Sequence, residues 1–444
     1  MDGTRSRTAA GGRTRGAAAG DEPRRMALAV LGRMRGGAFL APTLHEYLSA
    51  APLGRADRGL VTDLSYGVAR RMLELDAVLA PLLKRPDRLP PIVMDALRFG
   101  AFEVLHRGTP PYAAVDAWVG IVKSEAPGLA GLVNAVLRRV APLPAARPPD
   151  AAAALRASLP AWLYERFAAA LGEHAPGAAA AMLEPEPLWL TAFGPAARTA
   201  LEADGAVVSA YGTVREGRPH SLRVMAPMSV DRLAAFTAGL VQPQNPASLQ
   251  VALLLDPPPG GRVLDLASGR GVKSAVLAAL GAEVCAVELD PRRSAAAERN
   301  LRRLGLSVKH LTADLTRPLD VAPAPQVLLD APCSGTGTLR GHPEIKLRLT
   351  PEDIASAAET QARMLATAAA VVAPGGLLQY AVCALTPEEG PLVVARFLTS
   401  SHGDGFASEQ FELPLPTHAV DHGRYVLPLA GLDGFYVARL RRAV

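Results

Sequence analysis

The stretch that decides the fold runs from residue 262 to residue 288 and reads RVLDLASGRGVKSAVLAALGAEVCAVE. Its two apolar runs, 262–266 and 283–288, have the length and composition of buried strands. A glycine-containing turn and a helical segment separate them, which is the order of a β-α-β unit. Further strands are predicted at 327–330 and 377–382. This alternation predicts a parallel, doubly wound, Rossmann-like α/β sheet that binds ligands at the carboxyl ends of its strands.

The predicted sheet belongs to a domain that covers residues 241–444. Three other segments precede this domain in the sequence. Residues 23–142 place apolar side chains at helical spacing, and we expect an all-α bundle there. Residues 143–240 begin with a proline-rich linker and continue as a small α+β connecting domain. Residues 1–22 show no apolar period. They are interpreted as a flexible basic tail that contacts RNA phosphates or is a passive terminus.

The composition excludes several classes of protein. Of 444 residues, 49% are hydrophobic and 20% are charged, which is enough apolar material for folded cores. No apolar run reaches the roughly 18–20 residues that span a bilayer, so no membrane partner is expected. Three cysteines are too few for a disulfide scaffold or a cysteine-rich zinc site, and no metal is expected. The net charge of +5 is compatible with nucleic-acid binding without requiring it.

The turn after the first strand is a candidate site for a nucleoside cofactor. Gly269 and Gly271 let the backbone approach a ligand closely, and the following helix offers unpaired N–H groups. Glu288 ends the second strand about 20 residues later, where a carboxylate accepts the hydroxyls of an adenosine ribose. Asp265 either contacts that cofactor or caps the turn. An NAD enzyme would share these features, so the reaction has to be inferred from other residues.

Two cysteines mark the ends of later strands. Cys333 lies in a glycine-rich loop just after Asp330, and Cys383 directly follows the strand at 377–382. Because the carboxyl ends of neighbouring parallel strands share one rim, these three side chains are predicted to converge. They suit methylation at C5 of a pyrimidine. One thiolate adds at C6 and activates C5, the carboxyl group binds the base edge, and the second thiol assists release.

The same loop carries a resemblance to a known family. Residues 330–337 read DAPCSGTG, residues 342–346 read HPEIK, and residues 433–438 read DGFYVA. With these motifs, residues 240–444 resemble the RNA cytosine-C5 methyltransferases of the Nop2/Sun class.

The amino-terminal segment has a resemblance of its own. The pieces from Asp57 to Val68, from Leu97 to Leu105 (LRFGAFEVL) and from Leu132 to Arg138 (LVNAVLR) resemble a NusB-like RNA-binding domain and occur in its order. Together the two domains are similar to the bacterial branch of the class, which acts on 16S ribosomal RNA.

These resemblances imply S-adenosylmethionine as methyl donor and a cytidine of 16S rRNA, or of a small-subunit assembly intermediate, as acceptor. They imply Cys383 as nucleophile, Cys333 as the thiol that aids release, and Asp330 between donor and base. The implied donor-binding residues are Ala267, Ser268, Gly269, Arg270, Gly271, Val272, Lys273, Glu288, Asp314 and Asp330. No obligate protein partner is expected, and reduced catalytic thiols agree with a cytoplasmic location.

The chain departs from the family pattern around both ligands. Its donor turn has lost the usual proline, and Glu288 stands where the family has Asp. Val382 and Ala384 replace the hydroxyl residues beside the nucleophile, which predicts a raised thiol pKa and a slower enzyme. Residues 387–390 read PEEG in place of PEEN. The alternative function is a non-catalytic RNA-binding or ribosome-assembly factor, whereas a nicotinamide dehydrogenase would leave the strand-end cysteines unexplained.

Overall fold

The computed structural model describes residues 21–143, 152–225 and 228–444. The chain divides into two compact units, the first comprising Met1–Val68 and Val78–Ala145, and the second comprising Ala69–Ala77 and Ala146–Val444. The predicted basic tail lies outside the described residues apart from its last two, Asp21 and Glu22, which begin the first helix.

The first unit is helical, as the spacing of apolar residues predicts. Its helices are α1 (Asp21–Arg35), α2 (Leu40–Ala50), α3 (Arg55–Leu79, with its 69–77 segment in the second unit), α4 (Pro91–Leu105), α5 (Pro111–Glu125) and α6 (Ala130–Val140). Prolines begin α4 and α5, where their fixed φ suits the first turn and their missing N–H is not needed.

The segments that resemble a NusB-like domain form the core of this unit. Phe99 stacks on Trp118 with ring centroids 4.9 Å apart, and the Trp118 indole N–H donates to the buried Glu103 at 2.9 Å. Gly67 faces Phe102 so closely that an added Cβ would lie 2.0 Å from its ring. The motif glycine is therefore required by close packing between helices.

After the 69–77 segment of α3, the second unit continues with three short helices and a small antiparallel sheet. The helices are α7 (Ala153–Arg156), α8 (Ala161–Leu171) and α9 (Ala175–Ala181). The sheet has the order β2-β3-β1-β4, formed by β1 (Leu188–Ala192), β2 (Val208–Tyr211), β3 (His220–Val224) and β4 (Val241–Pro243), with α10 (Ala196–Ala203) and α11 (Ala234–Thr237) beside it. Leu163 and Phe167 of α8 pack in the same hydrophobic core as Val327 and Leu329 farther along the chain.

The large sheet follows. Its elements are α12 (Pro246–Leu255), β5 (Arg262–Leu266), α13 (Val272–Ala279), β6 (Glu283–Glu288), α14 (Pro291–Arg303), β7 (Lys309–Thr312), β8 (Ala324–Asp330), α15 (Pro351–Ala370), β9 (Val372–Val382), α16 (Pro391–Leu398), β10 (Phe406–Ser408), β11 (Thr417–Val420), β12 (Gly423–Val426) and β13 (Phe435–Arg442). The strand order is β11-β12-β13-β9-β8-β5-β6-β7, and β10 pairs with β13.

The strands β9, β8, β5, β6 and β7 run parallel, which confirms the predicted Rossmann-like sheet. The strands from β10 onward pair antiparallel, so the sheet is mixed rather than purely parallel. The chain winds outward from β5 through β6 to β7, then returns to β8 on the other side of β5. This reversal makes a crevice between β5 and β8 at their carboxyl ends, where ligands bind in such sheets. Within the described ranges, no helix combines the length and apolarity needed to cross a bilayer.

Candidate active site

The turn between β5 and α13 forms one wall of the crevice. Ala267, Gly269 and Gly271 all have positive φ values, +58°, +59° and +71°. A Cβ added to Gly271 would lie 2.9 Å from the Cβ of Ala297, so the turn packs against α14. A Cβ added to Gly269 would meet nothing within 4 Å, so the backbone there borders open space. The two glycines therefore have different roles, one in packing and one in leaving room for a ligand.

Glu288 links the turn to the end of β6. Its side chain accepts hydrogen bonds from the backbone N–H groups of Gly269 at 2.8 Å and Asp290 at 3.0 Å, and it is 5% exposed. A carboxylate has about four acceptor positions, so the lone pairs left over are available to ligand hydroxyls.

The polar groups of the turn fit a cofactor that carries hydroxyl and amino groups. Within the described part of the chain, the buried atoms Ser268 Oγ and Asp265 Oδ1 have no hydrogen-bond partner. Buried polar atoms are normally paired, so these two atoms, on residues of the turn and of the strand before it, are available to a ligand. Of the other predicted contacts, Arg270 is exposed, and Val272 begins α13 with its carbonyl accepting from Gln242.

Asp314 lies after β7, on the same rim. Its Oδ1 accepts from the backbone N–H of Thr316 at 2.9 Å and from the hydroxyl of Thr316 at 2.7 Å. These hydrogen bonds lower the pKa of Asp314. One oxygen is thus occupied in a local turn, and the other lies 3.6 Å from Arg317. A role for Asp314 in donor binding stays a prediction.

Asp265 is completely buried beneath the turn and accepts a hydrogen bond from Ser274. Burial raises its pKa to about 7, Ser274 opposes the rise, and the negative charges of Asp330 and Glu288 add to it. The folded state therefore binds a proton more tightly than the unfolded chain does. That contribution to stability is complete below pH 3.8 and is lost as pH rises through about 7.

We therefore expect the Asp265→Asn variant to gain stability relative to the wild type as pH rises. Between about pH 4.5 and pH 7.5 the relative gain is about 3 kcal/mol, at roughly 1.4 kcal/mol for each unit of pH. Urea unfolding of both proteins at the two pH values measures it. An equal stability difference at both values would contradict the burial argument.

Lys273 and Asp330 face each other across the crevice. The ammonium of Lys273 lies 2.7 Å from Asp330 Oδ2 and 5.3 Å from the ring centre of Phe435. Burial alone lowers the pKa of Lys273, but the charge and hydrogen bond of Asp330, with a contribution from Cys383, raise it above its usual value. Lys273 is therefore a buried cation that connects the turn after β5 to the carboxyl end of β8.

Cys333 and Cys383 lie side by side, with their sulfur atoms 3.3 Å apart. The strands β8 and β9 are parallel neighbours, and Asp330 pairs in register with Ala381, so both strands end at the same level. The loop after β8 then folds back, and the N–H of Gly337 donates to the carbonyl of Cys383 at 2.9 Å. The predicted convergence of Asp330, Cys333 and Cys383 on one rim is what the geometry shows.

Local contacts explain why several residues of the DAPCSGTG loop are of the type they are. Gly335 has φ +72°, the left-handed conformation that glycine adopts without strain. The hydroxyl of Thr336 accepts from the N–H of Leu385 at 2.9 Å. A Cβ on Gly337 would lie 2.0 Å from the carbonyl oxygen of Gly434, so only glycine fits there. The loop is therefore tied both to the Cys383 segment and to the chain just before β13.

The two thiols have different electrostatic surroundings. The pKa of the Cys333 thiol is raised well above its usual value, first by its hydrogen bond with Cys383, then by burial and by the charges of Cys383 and Glu389. Lys273, by contrast, interacts electrostatically with Cys383. The surroundings of Cys333 therefore keep its thiol protonated. The third cysteine, Cys285, is buried in β6.

Two acidic residues of the site received no role in the sequence analysis. Glu389 is completely buried beside the Cys333 loop. Asp433 has its pKa raised to about 8, chiefly by burial and by Glu186, while Arg340 and Lys273 oppose the rise. Both lie in stretches already noted, residues 387–390 and 433–438, which is the signal that points to them. Among the residues that the structure describes, no group of three or more His, Cys, Asp or Glu could hold a metal ion.

Comparisons with known proteins agree with this geometry. The model of the family described as 16S rRNA methyltransferase RsmB/F matches residues 252–441, and the NusB family model matches residues 21–142. The ribosomal RNA small subunit methyltransferase B of Thermus thermophilus is 46% identical over 95% of this chain and 98% of its own length. The protein of the same name from Sodalis glossinidius is 32% identical over 88% of this chain and 91% of its own.

A solved structure shares the fold over almost the whole length. The crystal structure of PH0851 covers 95% of this chain and 99% of its own with a TM-score of 0.74, at 23% identity. The family matches and the identity to the Thermus protein extend well beyond a shared fold. The chain therefore belongs to the RsmB/F family of 16S rRNA methyltransferases, and its cofactor is S-adenosylmethionine.

Proposed function

We propose that this protein methylates C5 of a cytidine in 16S rRNA, or in an assembly intermediate of the small subunit, through a covalent adduct between Cys383 and C6 of the base. The observation that carries the proposal is the pair of thiols 3.3 Å apart beside the Lys273–Asp330 pair. The protein would act in the cytoplasm, where thiols stay reduced.

The proposed reaction begins with the addition of a thiolate to the cytosine base. The thiolate of Cys383 forms a bond to C6, and the π electrons of the C5–C6 bond move to C5. Asp330 hydrogen-bonds the Watson–Crick edge of the cytosine and holds it against Cys383, while Lys273 keeps Asp330 oriented at 2.7 Å. S-adenosylmethionine, when bound at the residues from Ala267 to Lys273, at Glu288 and at Asp314, supplies the methyl group that C5 accepts.

Release of the product uses the second thiol. The proton on C5 is lost to water, its electron pair re-forms the C5–C6 double bond, and the bond from C6 to Cys383 breaks. The protonated Cys333 donates to the departing sulfur, which the separation of 3.3 Å permits. The raised pKa of Cys333 supports this division of roles, since it keeps that thiol protonated.

Binding of the RNA precedes this chemistry. The NusB-like unit and the net charge of +5 fit contacts to RNA phosphates, and the target cytosine has to leave its stack to reach the crevice. The intact thiol pair and the Lys273–Asp330 pair favour catalysis over the alternative of a non-catalytic assembly factor.

Transfer of a labelled methyl group tests the proposal. The purified protein is incubated with labelled S-adenosylmethionine and either unmodified 16S rRNA or small-subunit assembly intermediates, and the modified nucleoside is identified by mass spectrometry. We expect 5-methylcytidine at a single position in at least one substrate. Absence of label on both substrates, or label on another base, would overturn the proposed function.

A further inference from the structure

Glu389 is a buried carboxylate that the proposed reaction does not use. Its exposure is 0%, and no cation forms an ion pair with it among the residues that the structure describes. Burial of an unpaired carboxylate is costly unless hydrogen bonds replace its hydration. The contacts of Glu389 therefore show what its two carboxylate oxygens hold in place.

Four donors surround the two carboxylate oxygens. Oε1 accepts from the backbone N–H of Ser334 at 2.7 Å and from the side-chain amide of Gln361 at 3.1 Å. Oε2 accepts from the hydroxyls of Ser334 at 2.5 Å and Thr386 at 2.8 Å. Protein donors therefore occupy about all the acceptor positions that a carboxylate offers.

These donors come from both thiol-bearing segments. Ser334 directly follows Cys333, and both of its polar groups bind Glu389. Thr386 is three residues after Cys383 and orients the carboxylate from its own side. Gln361 of α15 also donates to the carbonyl of Pro332 at 3.0 Å, on the other side of Cys333. The carboxylate thus joins the loop that carries one thiol to the segment that carries the other.

We propose that Glu389 is a positioning residue that sets the separation between the sulfur atoms of Cys333 and Cys383, by holding Ser334 against the segment that follows Cys383. The catalytic part of this inference rests on the proposed function; the thiol geometry does not. Its neighbour Glu388 has a different environment, since it forms an ion pair with Arg166 at 2.9 Å, with about a third of its side chain exposed.

The acceptor geometry predicts which substitutions are tolerated. In Glu389→Gln, the amide oxygen can face the Ser334 N–H and Gln361, while the amide nitrogen donates to the two hydroxyls, which rotate to accept. This variant keeps the connection without the charge. Glu389→Ala removes every acceptor, and Ser334→Ala removes one of the bonds across the two segments. Glu388→Gln is the matched control.

A change in the relative position of the two thiols alters the equilibrium constant with which they form a disulfide in the presence of glutathione. This measurement needs neither RNA nor methyl donor. Oxidised glutathione takes two electrons from the dithiol, giving one Cys333–Cys383 disulfide and two reduced glutathione molecules. We expect the equilibrium constant to fall about tenfold in Glu389→Ala and about threefold in Ser334→Ala, and to stay within about twofold in Glu389→Gln and Glu388→Gln. Non-reducing peptide mass spectrometry quantifies the disulfide.

We expect the rate of RNA methylation to respond to these substitutions in the same order as the disulfide equilibrium. We expect kcat for RNA methylation to fall about 100-fold in Glu389→Ala with KM for RNA unchanged, and to recover to within about fivefold in Glu389→Gln. If Glu389→Ala does not melt cooperatively, Ser334→Ala carries both measurements. Wild-type thiol equilibria in Glu389→Ala and Ser334→Ala, or equal losses in the Gln and Ala variants, would overturn the positioning role. Failure of the wild type to methylate RNA would instead overturn the proposed function and leave the thiol result standing.

Discussion

Replacing Cys333 with Ala is expected to leave the protein covalently attached to its RNA. The variant still has Cys383 to add to C6 and still has the residues that bind donor and base. It lacks the protonated thiol that lies 3.3 Å from the departing sulfur in the wild type. Release therefore becomes the slow step, and an RNA–protein adduct accumulates that survives denaturing electrophoresis. Turnover is expected to fall by about 10² to 10⁴, the range of a lost general acid.

The other cysteines provide matched controls for this experiment. Cys383→Ala is expected to form no adduct and no product, because the nucleophile is absent. Cys285→Ala is expected to behave like the wild type, because Cys285 lies buried in β6 away from both strand ends. A Cys333→Ala protein that turns over freely without adduct would contradict the assigned roles. Adduct in Cys383→Ala would exchange the roles of the two thiols.

Replacing Asp330 with Asn is expected to lower kcat by about 10³. The substitution keeps the size of the side chain but removes the charge that holds Lys273 at 2.7 Å. The amide can still pair with N3 and N4 of cytosine, so the expected loss comes from the missing negative charge and not from a lost hydrogen-bond pattern. Lys273 then remains buried without its partner, which is unfavourable for an ammonium group.

Single-turnover kinetics with saturating RNA and donor measure this effect apart from binding. Asp404→Asn is the control, because Asp404 is an exposed carboxylate in the turn before β10. The affinity for RNA is expected to change much less than kcat, since phosphate contacts supply most of that affinity. A rate within about threefold of the wild type would show that Asp330 has no part in the chemistry.

The sequence was most informative where a local pattern has one physical solution. The alternation of apolar runs and glycine turns predicted the parallel strands from β5 to β9, and strand ends on a common rim predicted the meeting of Cys333 and Cys383. The glycines at 67 and 337 could be noticed as parts of motifs. Their reason, contact with Phe102 and with Gly434, involves distant residues and required the structure.

Other features depend on contacts that no local pattern records. The strands β10 to β12 are short, and all the strands from β10 to β13 pair antiparallel, whereas the order of elements up to β9 favours a parallel sheet. In the sequence, Glu389 is one of two consecutive glutamates with no feature that distinguishes it. The fold brings it into contact with Ser334, which is 55 residues away in the chain. The spacing of apolar residues in α8 also does not predict that this helix packs against residues of the large sheet.

The contact between Gly337 and Gly434 has a consequence for the newly made chain. The N–H of Gly434 donates to the carbonyl of Gly337 at 2.8 Å, and β13 then pairs with β9 from Tyr436 onward. The loop with Cys333 is translated roughly 100 residues earlier, which is about 5–20 s at ordinary elongation rates. In about the second half of that interval, after Cys383 has been added, the nascent polypeptide has both thiols but not the strand that closes their loop. Under the proposed function, we therefore expect methylation to begin only after β13 has left the ribosome, so that an unfinished polypeptide forms no adduct with RNA.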